Sequence, residues 1–336
     1  MVDMDKRTRV RLVMEEQRRD DVYPAEVLAG IDRIADLVRP FLTADQLDAD
    51  PVALRDVDVL LTGWGAPAVD AALLARAPRL RAVLHAAGSV KHIVTDDAWE
   101  RGIAVVSAAA ANAEPVAEMT AAQIVLAARG VPASRRRYRS ERSLAAKNAA
   151  SGARGRVVGL VALGGIGRRV AERLRESAVT VIAADPFADA DEAAALGVQL
   201  VTLESLFERA DVVSLHAPLL PATVGMIGRD LIERMPEGAT LINTARGGLI
   251  AEDELVDVLR RRPDLTALLD VTAEEPPAAD SPLWDLANAE LTPHIAGAMG
   301  KDRAAMGRLV AEELERLIDG LPLRHAIDRN ALGRMA

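Results

Sequence analysis

Cysteine is absent from the 336 residues of the chain. Disulfides, thiolate metal sites and a cysteine nucleophile are thereby excluded, and the redox compartment is left open. Aromatic residues are nearly as scarce, with 3 Trp, 2 Tyr and 3 Phe, so any core must be built mostly from Ala, Val, Leu and Ile. No apolar run approaches the ~18 residues of a membrane-spanning helix. The first residues, Met1 to Met14, are charged and lack the apolar stretch of a secretion signal. Lysine occurs only at positions 6, 91, 147 and 301, a bias we attribute to the source proteome. A net charge of −9 disfavours a general nucleic-acid binder, which would be basic. A cytoplasmic protein with no membrane, nucleic-acid or metal partner is expected.

What is present is enough apolar material for two domains, at 50% hydrophobic residues. Up to position 107, short apolar runs at Val10–Met14, Ile34–Val38, Val57–Thr62, Leu80–Ala86 and Ile103–Val106 read as strands. Pro67–Arg76 and Thr95–Glu100 read as helices between them, a rhythm that predicts a parallel sheet with helices on its faces. Val116–Arg129 reads as one helix with Pro115 near its start, stopped by Gly130-Val131-Pro132. The charged run Ser134 to Arg139 reads as a solvated loop, with phosphate steering as the alternative.

A second alternating region begins at Arg156. Strands are expected at Val157–Leu163, Val179–Ala184, Val212–Leu215, Thr240–Asn243, Leu265–Asp270 and Glu290–Leu291. Helices are expected at Ile166–Glu176, Leu203–Glu208, Gly228–Arg234, Glu252–Arg261 and 302–319. The fold class is therefore α/β, with doubly wound parallel sheets.

The first strand of this region runs into Ala162-Leu163-Gly164-Gly165-Ile166-Gly167, a Gly-x-Gly-x-x-Gly loop whose first glycine is alanine. Gly164 lets the backbone approach a pyrophosphate, Gly165 and Ile166 open the helix, and Gly167 lets helix pack on strand. Alanine at 162 predicts a turn with negative φ. Asp185 closes the next strand, where a carboxylate accepts bonds from both ribose hydroxyls of NAD and repels a 2′-phosphate. Pro186 and Phe187 follow it, with no arginine, so NADH is expected over NADPH.

Three later segments offer a guanidinium, a carboxylate and an imidazole: Asn243 to Gly248, Glu274-Glu275-Pro276, and Thr292 to Gly297. Arg246 can grip a carboxylate with paired hydrogen bonds. His294 can deliver a proton, and Glu274 or Glu275 can orient it. Asp270, ending its strand, is either a turn cap or a partner of the nicotinamide carboxamide. Ala86-Ala87-Gly88-Ser89 follows the fourth strand, at the edge where open α/β sheets present ligand loops.

These motifs, with Asn112 to Glu118, His216-Ala217-Pro218-Leu219, Met235 to Ala239 and Asp270-Val271, resemble the D-isomer-specific 2-hydroxyacid dehydrogenases over nearly the whole chain. The resemblance implies a Rossmann NAD-binding domain at 117–299, inserted into a flavodoxin-like substrate domain made of 1–116 and 300–336. It implies a homodimer through the cofactor domain and a cleft that closes over substrate. The implied reaction is NAD-dependent reduction of a small 2-oxo acid to a D-2-hydroxy acid. Arg246 would bind the substrate carboxylate and carbonyl, His294 would protonate the ketone oxygen, and Glu275, next to proline, would pair with His294. Ala87, Gly88 and Ser89 would hold the carboxylate through backbone N–H groups, with Asn112 nearby. Thr244 and Ala245 would border the nicotinamide, His216 and Pro218 the adenosine side, and Ala217, Thr223, Arg246, Asp270, His294 and Gly297 would be further cofactor-binding residues. His216 would then be neither acid nor base, His85 and His92 would flank the substrate loop, and His325 would lie at the surface. Gly165 stands where the family often has arginine, and Glu275 disfavours formate dehydrogenase, whose reaction moves no proton. The rival readings are a non-catalytic NAD sensor of the same fold and a short phosphoglycerate dehydrogenase. The latter would lack a regulatory domain, because the chain runs only to Ala336, with Arg135–Arg139 as its phosphate contact.

Overall fold

The structure is a computed structural model that describes residues 7–329 and 332. The chain divides into two compact units, with boundaries at Asn112/Ala113 and Gly297/Ala298. These fall a few residues before the expected 116/117 and 299/300.

The first unit runs β1 (Arg9–Val13), α1 (Glu16–Val22), α2 (Ala25–Ile34), β2 (Asp36–Leu42), α3 (Ala44–Ala49), β3 (Val59–Thr62), α4 (Ala71–Arg76), β4 (Ala82–His85), α5 (Asp96–Glu100) and β5 (Ala104–Ser107). Its strands pair in parallel in the order β2-β1-β3-β4-β5, the flavodoxin-like order. Strands β3 and β4 are buried along their whole length, as expected where helices cover both faces. Helices fill one face with Met306, Val310 and Leu314 from the carboxy-terminal part of the chain, and the other with Leu47, Leu73 and Leu74.

Then come α6 (Ala109–Ala128), α7 (Val131–Glu141), β6 (Val157–Val161), α8 (Gly165–Leu174), β7 (Thr180–Ala184), α9 (Ala190–Ala195), β8 (Val198–Leu200), α10 (Leu203–Arg209), β9 (Val212–Leu215), α11 (Arg229–Ile232), β10 (Thr240–Asn243), α12 (Glu252–Arg261), β11 (Thr266–Leu269), β12 (Ala289–Leu291) and α13 (Ala304–Ile318), the last of which belongs to the first unit. The seven-stranded sheet of the second unit has the order β12-β11-β10-β9-β6-β7-β8. Read from β8, it is the doubly wound nucleotide-binding order with one added edge strand, and the strand order reverses between β6 and β9. α12 shows why a sequence segment becomes a helix here. Glu252, Asp253 and Glu254 sit in its first turn and Arg260 and Arg261 in its last, complementing the helix dipole, while Leu255, Val256, Val258 and Leu259 form its buried stripe.

Several expectations are corrected. The charged run at 134–139 is not a loop but part of α7, because Gly130, in the left-handed region at φ 70°, ends one helix and Pro132 begins the next. Arg136 turns inward from α7 to donate to the Thr266 hydroxyl and the Pro263 carbonyl. α6 begins at Ala109, so Pro115 lies inside it. The alanine-rich approach is itself a good helix former. β2 begins at Asp36 rather than Ile34, since Ile34 completes the amphipathic α2. Helices α1, α3 and α9 and strand β8 carry too little periodicity over too few residues to be legible in the sequence, whereas α2, though amphipathic, is absent from the expected elements.

Candidate active site

The glycine loop joins β6 to α8. Ala162 sits at φ 74°, so the expected negative φ is wrong: alanine adopts the left-handed turn of the glycine it replaces. The neighbouring geometry leaves it little choice. A Cβ on Gly167 would lie 2.4 Å from the Ala162 carbonyl oxygen, so helix and turn meet backbone to backbone. Asp185 secures the same turn, its carboxylate accepting from the N–H of Leu163 at 2.8 Å and of Phe187 at 2.8 Å. Arg168 donates to the Leu163 carbonyl at 3.0 Å.

This loop fits a dinucleotide. A Cβ on Gly164 would meet nothing within 4 Å, so its outer face is open to a phosphate. The N–H groups of Gly164, Gly165, Ile166 and Gly167 begin α8 and have no acceptor among the described residues. His216 follows β9 beside Gly167. Burial pushes its pKa down to about 4, and its Nε2 has no partner among the described residues. Ala217 is buried next to it. Thr223 closes the turn that follows, donating to the Pro218 carbonyl at 2.6 Å and accepting from the Leu220 N–H at 2.8 Å.

Arg246, Glu275 and His294 come together in the second unit. β10 ends at Asn243, whose side chain accepts from the Ala245 N–H at 3.0 Å and donates to the Arg246 carbonyl at 2.9 Å. That Asx turn fixes the backbone that presents Arg246. Gly247 follows because the chain there runs against the backbone of Thr272 and Ala273, and a Cβ would fall 1.9 Å from the Thr272 carbonyl. The Arg246 guanidinium donates to the Ala245 carbonyl at 2.7 Å, and its remaining donors have no partner among the described residues. Burial pushes its pKa down, and the charge of Glu275 opposes that shift. Thr244 is buried and shares a hydrogen bond of 2.8 Å with the Thr120 hydroxyl.

His294 Nδ1 lies 2.6 Å from Glu275 Oε2, which separates the two candidate carboxylates. Glu274 contributes only its carbonyl, to the Thr272 hydroxyl at 2.6 Å. His294 itself has φ 52°. Its N–H donates to the Asp270 carbonyl at 2.9 Å, and the Asp270 carboxylate accepts from Thr292 Oγ1 at 2.5 Å, Ile295 N–H at 2.9 Å and Ala296 N–H at 2.8 Å. Asp270 is thus the buried anchor of the turn that displays His294. The first unit carries Ala87, Gly88 and Ser89 in the loop after β4, and the Asn112 amide nitrogen lies beside the Gly88 Cα face. Asn112 Oδ1 accepts from the Ala298 N–H at 2.9 Å. His85 is buried, His92 is exposed, and His325 is half-exposed. Gly297 is the last residue of the second unit before the boundary. The sequence reading did not pick out Asn243 as a turn former or Thr292 as a ligand of Asp270. The Asn-Thr-Ala-Arg order carried a signal for the first, since asparagine after a strand favours an Asx turn. Among the described residues no cluster of His, Asp or Glu is placed to hold a metal, and no helix is long and apolar enough to cross a membrane.

With this geometry in hand, residues 121–296 match the D-isomer specific 2-hydroxyacid dehydrogenase, NAD binding domain. The chain belongs to the D-isomer-specific 2-hydroxyacid dehydrogenase family. It is similar to the D-3-phosphoglycerate dehydrogenase of Archaeoglobus fulgidus, with 34% identity over 77% of this chain and 49% of that one. The chain spans about half the length of the curated relatives it matches. Among solved structures it resembles apo D-mandelate dehydrogenase of Rhodotorula graminis, with a TM-score of 0.79 and 25% identity over 96% of this chain and 98% of that one. It also resembles the TT0316 protein of Thermus thermophilus, with a TM-score of 0.75 and 29% identity over 95% of this chain and all (100%) of that one.

Proposed function

We propose that the protein reduces a small 2-oxo acid to a D-2-hydroxy acid with a nicotinamide cofactor, preferring NADH to NADPH, and runs the reverse oxidation. The observation that carries this reading is the 2.6 Å contact of His294 with Glu275 beside a half-buried Arg246 whose remaining donors have no partner among the described residues. The bound cofactor supplies the hydride. The chain does the rest. Arg246 binds the carboxylate and polarises the ketone, and His294 Nε2 gives a proton to the ketone oxygen as it becomes a hydroxyl. Glu275 holds the ring through Nδ1, so that Nε2 is the nitrogen that faces substrate. The open N–H groups of the 87–89 loop bind the substrate carboxylate in the first unit. Gly164, Gly165, Ile166 and Gly167 take the pyrophosphate, and Asp185 the ribose hydroxyls. His216, Ala217, Pro218 and Thr223 border the adenosine side, and Thr244, Ala245, Asp270 and Gly297 the nicotinamide.

The preference for NADH is supported by Asp185, whose carboxylate stands where a 2′-phosphate would bring like charge, with Pro186 and Phe187 after it. A KM for NADPH at or below that for NADH would overturn it. Phosphohydroxypyruvate belongs among the test substrates because relatives named D-3-phosphoglycerate dehydrogenase share 33–35% identity with the chain. We place the enzyme in the cytoplasm as a homodimer associating through the second unit, where Leu126, Tyr138 and Leu144 are exposed. Sedimentation of the purified chain as a monomer would contradict that association. Turnover of a 2-oxo acid panel with NADH tests the reaction itself.

A further inference from the structure

The loop that follows β4 has an asymmetry that its own residues do not explain. The N–H groups of Ala87, Gly88 and Ser89 have no acceptor among the described residues, yet the carbonyls of Ala87 and Gly88 are both held. One buried side chain holds them. Ser107, at the end of β5 and 3% exposed, places Oγ 3.1 Å from the Ala87 carbonyl and 2.5 Å from the Gly88 carbonyl. The same oxygen accepts from the Ala109 N–H at 3.1 Å.

The register of the sheet brings Ser107 there. His85 pairs with Ser107 between β4 and β5, and with Thr62 between β3 and β4. The base of the loop is closed by the Ala86 N–H to the Thr62 carbonyl at 2.8 Å and by the Thr62 hydroxyl to His85 Nδ1 at 2.9 Å. On its outer side Ser107 is tied down as well. Its N–H donates to the His325 carbonyl at 3.4 Å, and the Ile327 N–H donates to the Val105 carbonyl at 2.8 Å, so the chain after α13 lies along the β5 edge. The buried carboxylate of Glu313 holds that segment by accepting from the N–H of Arg324 and of His325.

We infer that Ser107 is a positioning residue for carboxylate recognition: its single hydroxyl proton, shared between two successive carbonyls of the loop, fixes their peptide units, so that the N–H groups of Gly88 and Ser89 are presented together to the substrate carboxylate. The inference rests on the proposed function and goes beyond it, because Ser107 touches no substrate. A peptide unit presents its N–H on the side opposite its carbonyl. Fixing the carbonyls of Ala87 and Gly88 therefore aims the N–H groups of Gly88 and Ser89, and successive N–H groups aimed into one concavity bind an anion. Without the hydroxyl the loop can still form, but its peptides are free to tilt and the anion must order them on binding.

The test compares wild type with Ser107→Ala and Ser107→Thr. The readouts are KM for the best 2-oxo acid, kcat, KM for NADH, and the affinity for oxamate, an unreactive mimic, measured with NADH present. Ser107→Ala should raise the oxo-acid KM and the oxamate Kd together by about tenfold, the scale of one lost hydrogen-bonding group. The KM for NADH should stay put and kcat should change much less than the oxo-acid KM. Ser107→Thr, which keeps the hydroxyl, should recover most of the oxamate affinity. Unchanged oxamate affinity in a folded Ser107→Ala would overturn the inference, and so would a parallel loss of NADH binding, which marks general damage. A wild type that binds NADH but neither binds oxamate nor consumes any 2-oxo acid would instead overturn the proposed function on which the inference rests.

Discussion

Asp270 and Glu275 divide the work of fixing His294, one holding the backbone and the other the ring. Asp270 accepts from Thr292, Ile295 and Ala296, so its carboxylate sets a turn in which His294 tolerates φ 52°. Asp270→Asn would set an NH2 group against donors and misplace the ring; a loss of about 1–3 kcal/mol in stability is expected, with a fall in kcat. Denaturant unfolding alongside steady-state kinetics checks both, and an unchanged kcat would contradict the anchoring role. Glu275→Gln keeps the shape of the contact but removes the charge, and it should lower kcat far more than it alters the NADH KM. Arg246→Lys should be a poor substitute despite its charge, since an ammonium cannot make the paired bonds of a guanidinium to a carboxylate. If Lys supports wild-type KM for the oxo acid, the clamp assigned to Arg246 is wrong.

At the scale of elements, the two turns that carry the site are set by contacts a composition-level reading cannot see. The segments Asn243 to Gly248 and Thr292 to Gly297 were legible because their residue types are unusual together and each follows an apolar strand. The geometry of Ala162 was not, because it is tied to Gly167, five residues on, where an added Cβ would lie 2.4 Å from the Ala162 carbonyl oxygen. The run of arginines in α7 misled for a related reason. Charge density argued for a loop, whereas Gly130 and Pro132 together mark one helix ending and another starting. Short helices such as α3 are held by a capping box, Thr43 with Gln46, more than by periodicity. Two expectations follow. Ala162→Gly should relieve a left-handed alanine that costs about 1–2 kcal/mol, partly offset by the freedom glycine has when unfolded, so unfolding should shift by ~0–1 kcal/mol toward stability with NADH affinity preserved. Gly247→Ala should instead displace Arg246, because backbone at 1.9 Å cannot give way; folded protein with normal turnover would contradict that close approach.

Over the whole molecule, each unit buries one histidine whose neutral form burial favours. Burial pushes His85 in the first unit and His216 in the second to about 4, from an ordinary value of 6.5. Below pH 6.5 the unfolded chain takes up these protons while the folded chain does not until about 4, so stability present above 6.5 is lost as pH falls through that window. The effect is roughly 3 kcal/mol per histidine at its limit. Urea unfolding at pH values across that window should show each unit losing stability, and the pair of changes His85→Asn and His216→Asn should flatten the dependence. An equally steep loss in that variant would assign it to other groups. The alternating strands and helices, the nucleotide loop and the candidate trio were readable from the sequence because they rest on local patterns. The hydroxyl of Ser107 was not, since its partners lie in a different strand connection some twenty residues earlier and only the register of β4 on β5 brings them together.

The central claim, that His294 is the proton donor in reduction of a 2-oxo acid, meets its most direct test in nicotinamide absorbance. The purified chain and its His294→Ala variant would be supplied with NADH and, in turn, glyoxylate, hydroxypyruvate, pyruvate, 2-oxobutyrate, phenylpyruvate and phosphohydroxypyruvate. The account predicts consumption of at least one by the wild type, reduced about 10²–10⁴-fold in the variant while NADH still binds. A variant as active as wild type would remove His294 from the chemistry, and a wild type that binds NADH yet consumes none of the acids would point to a protein that senses the cofactor without using it.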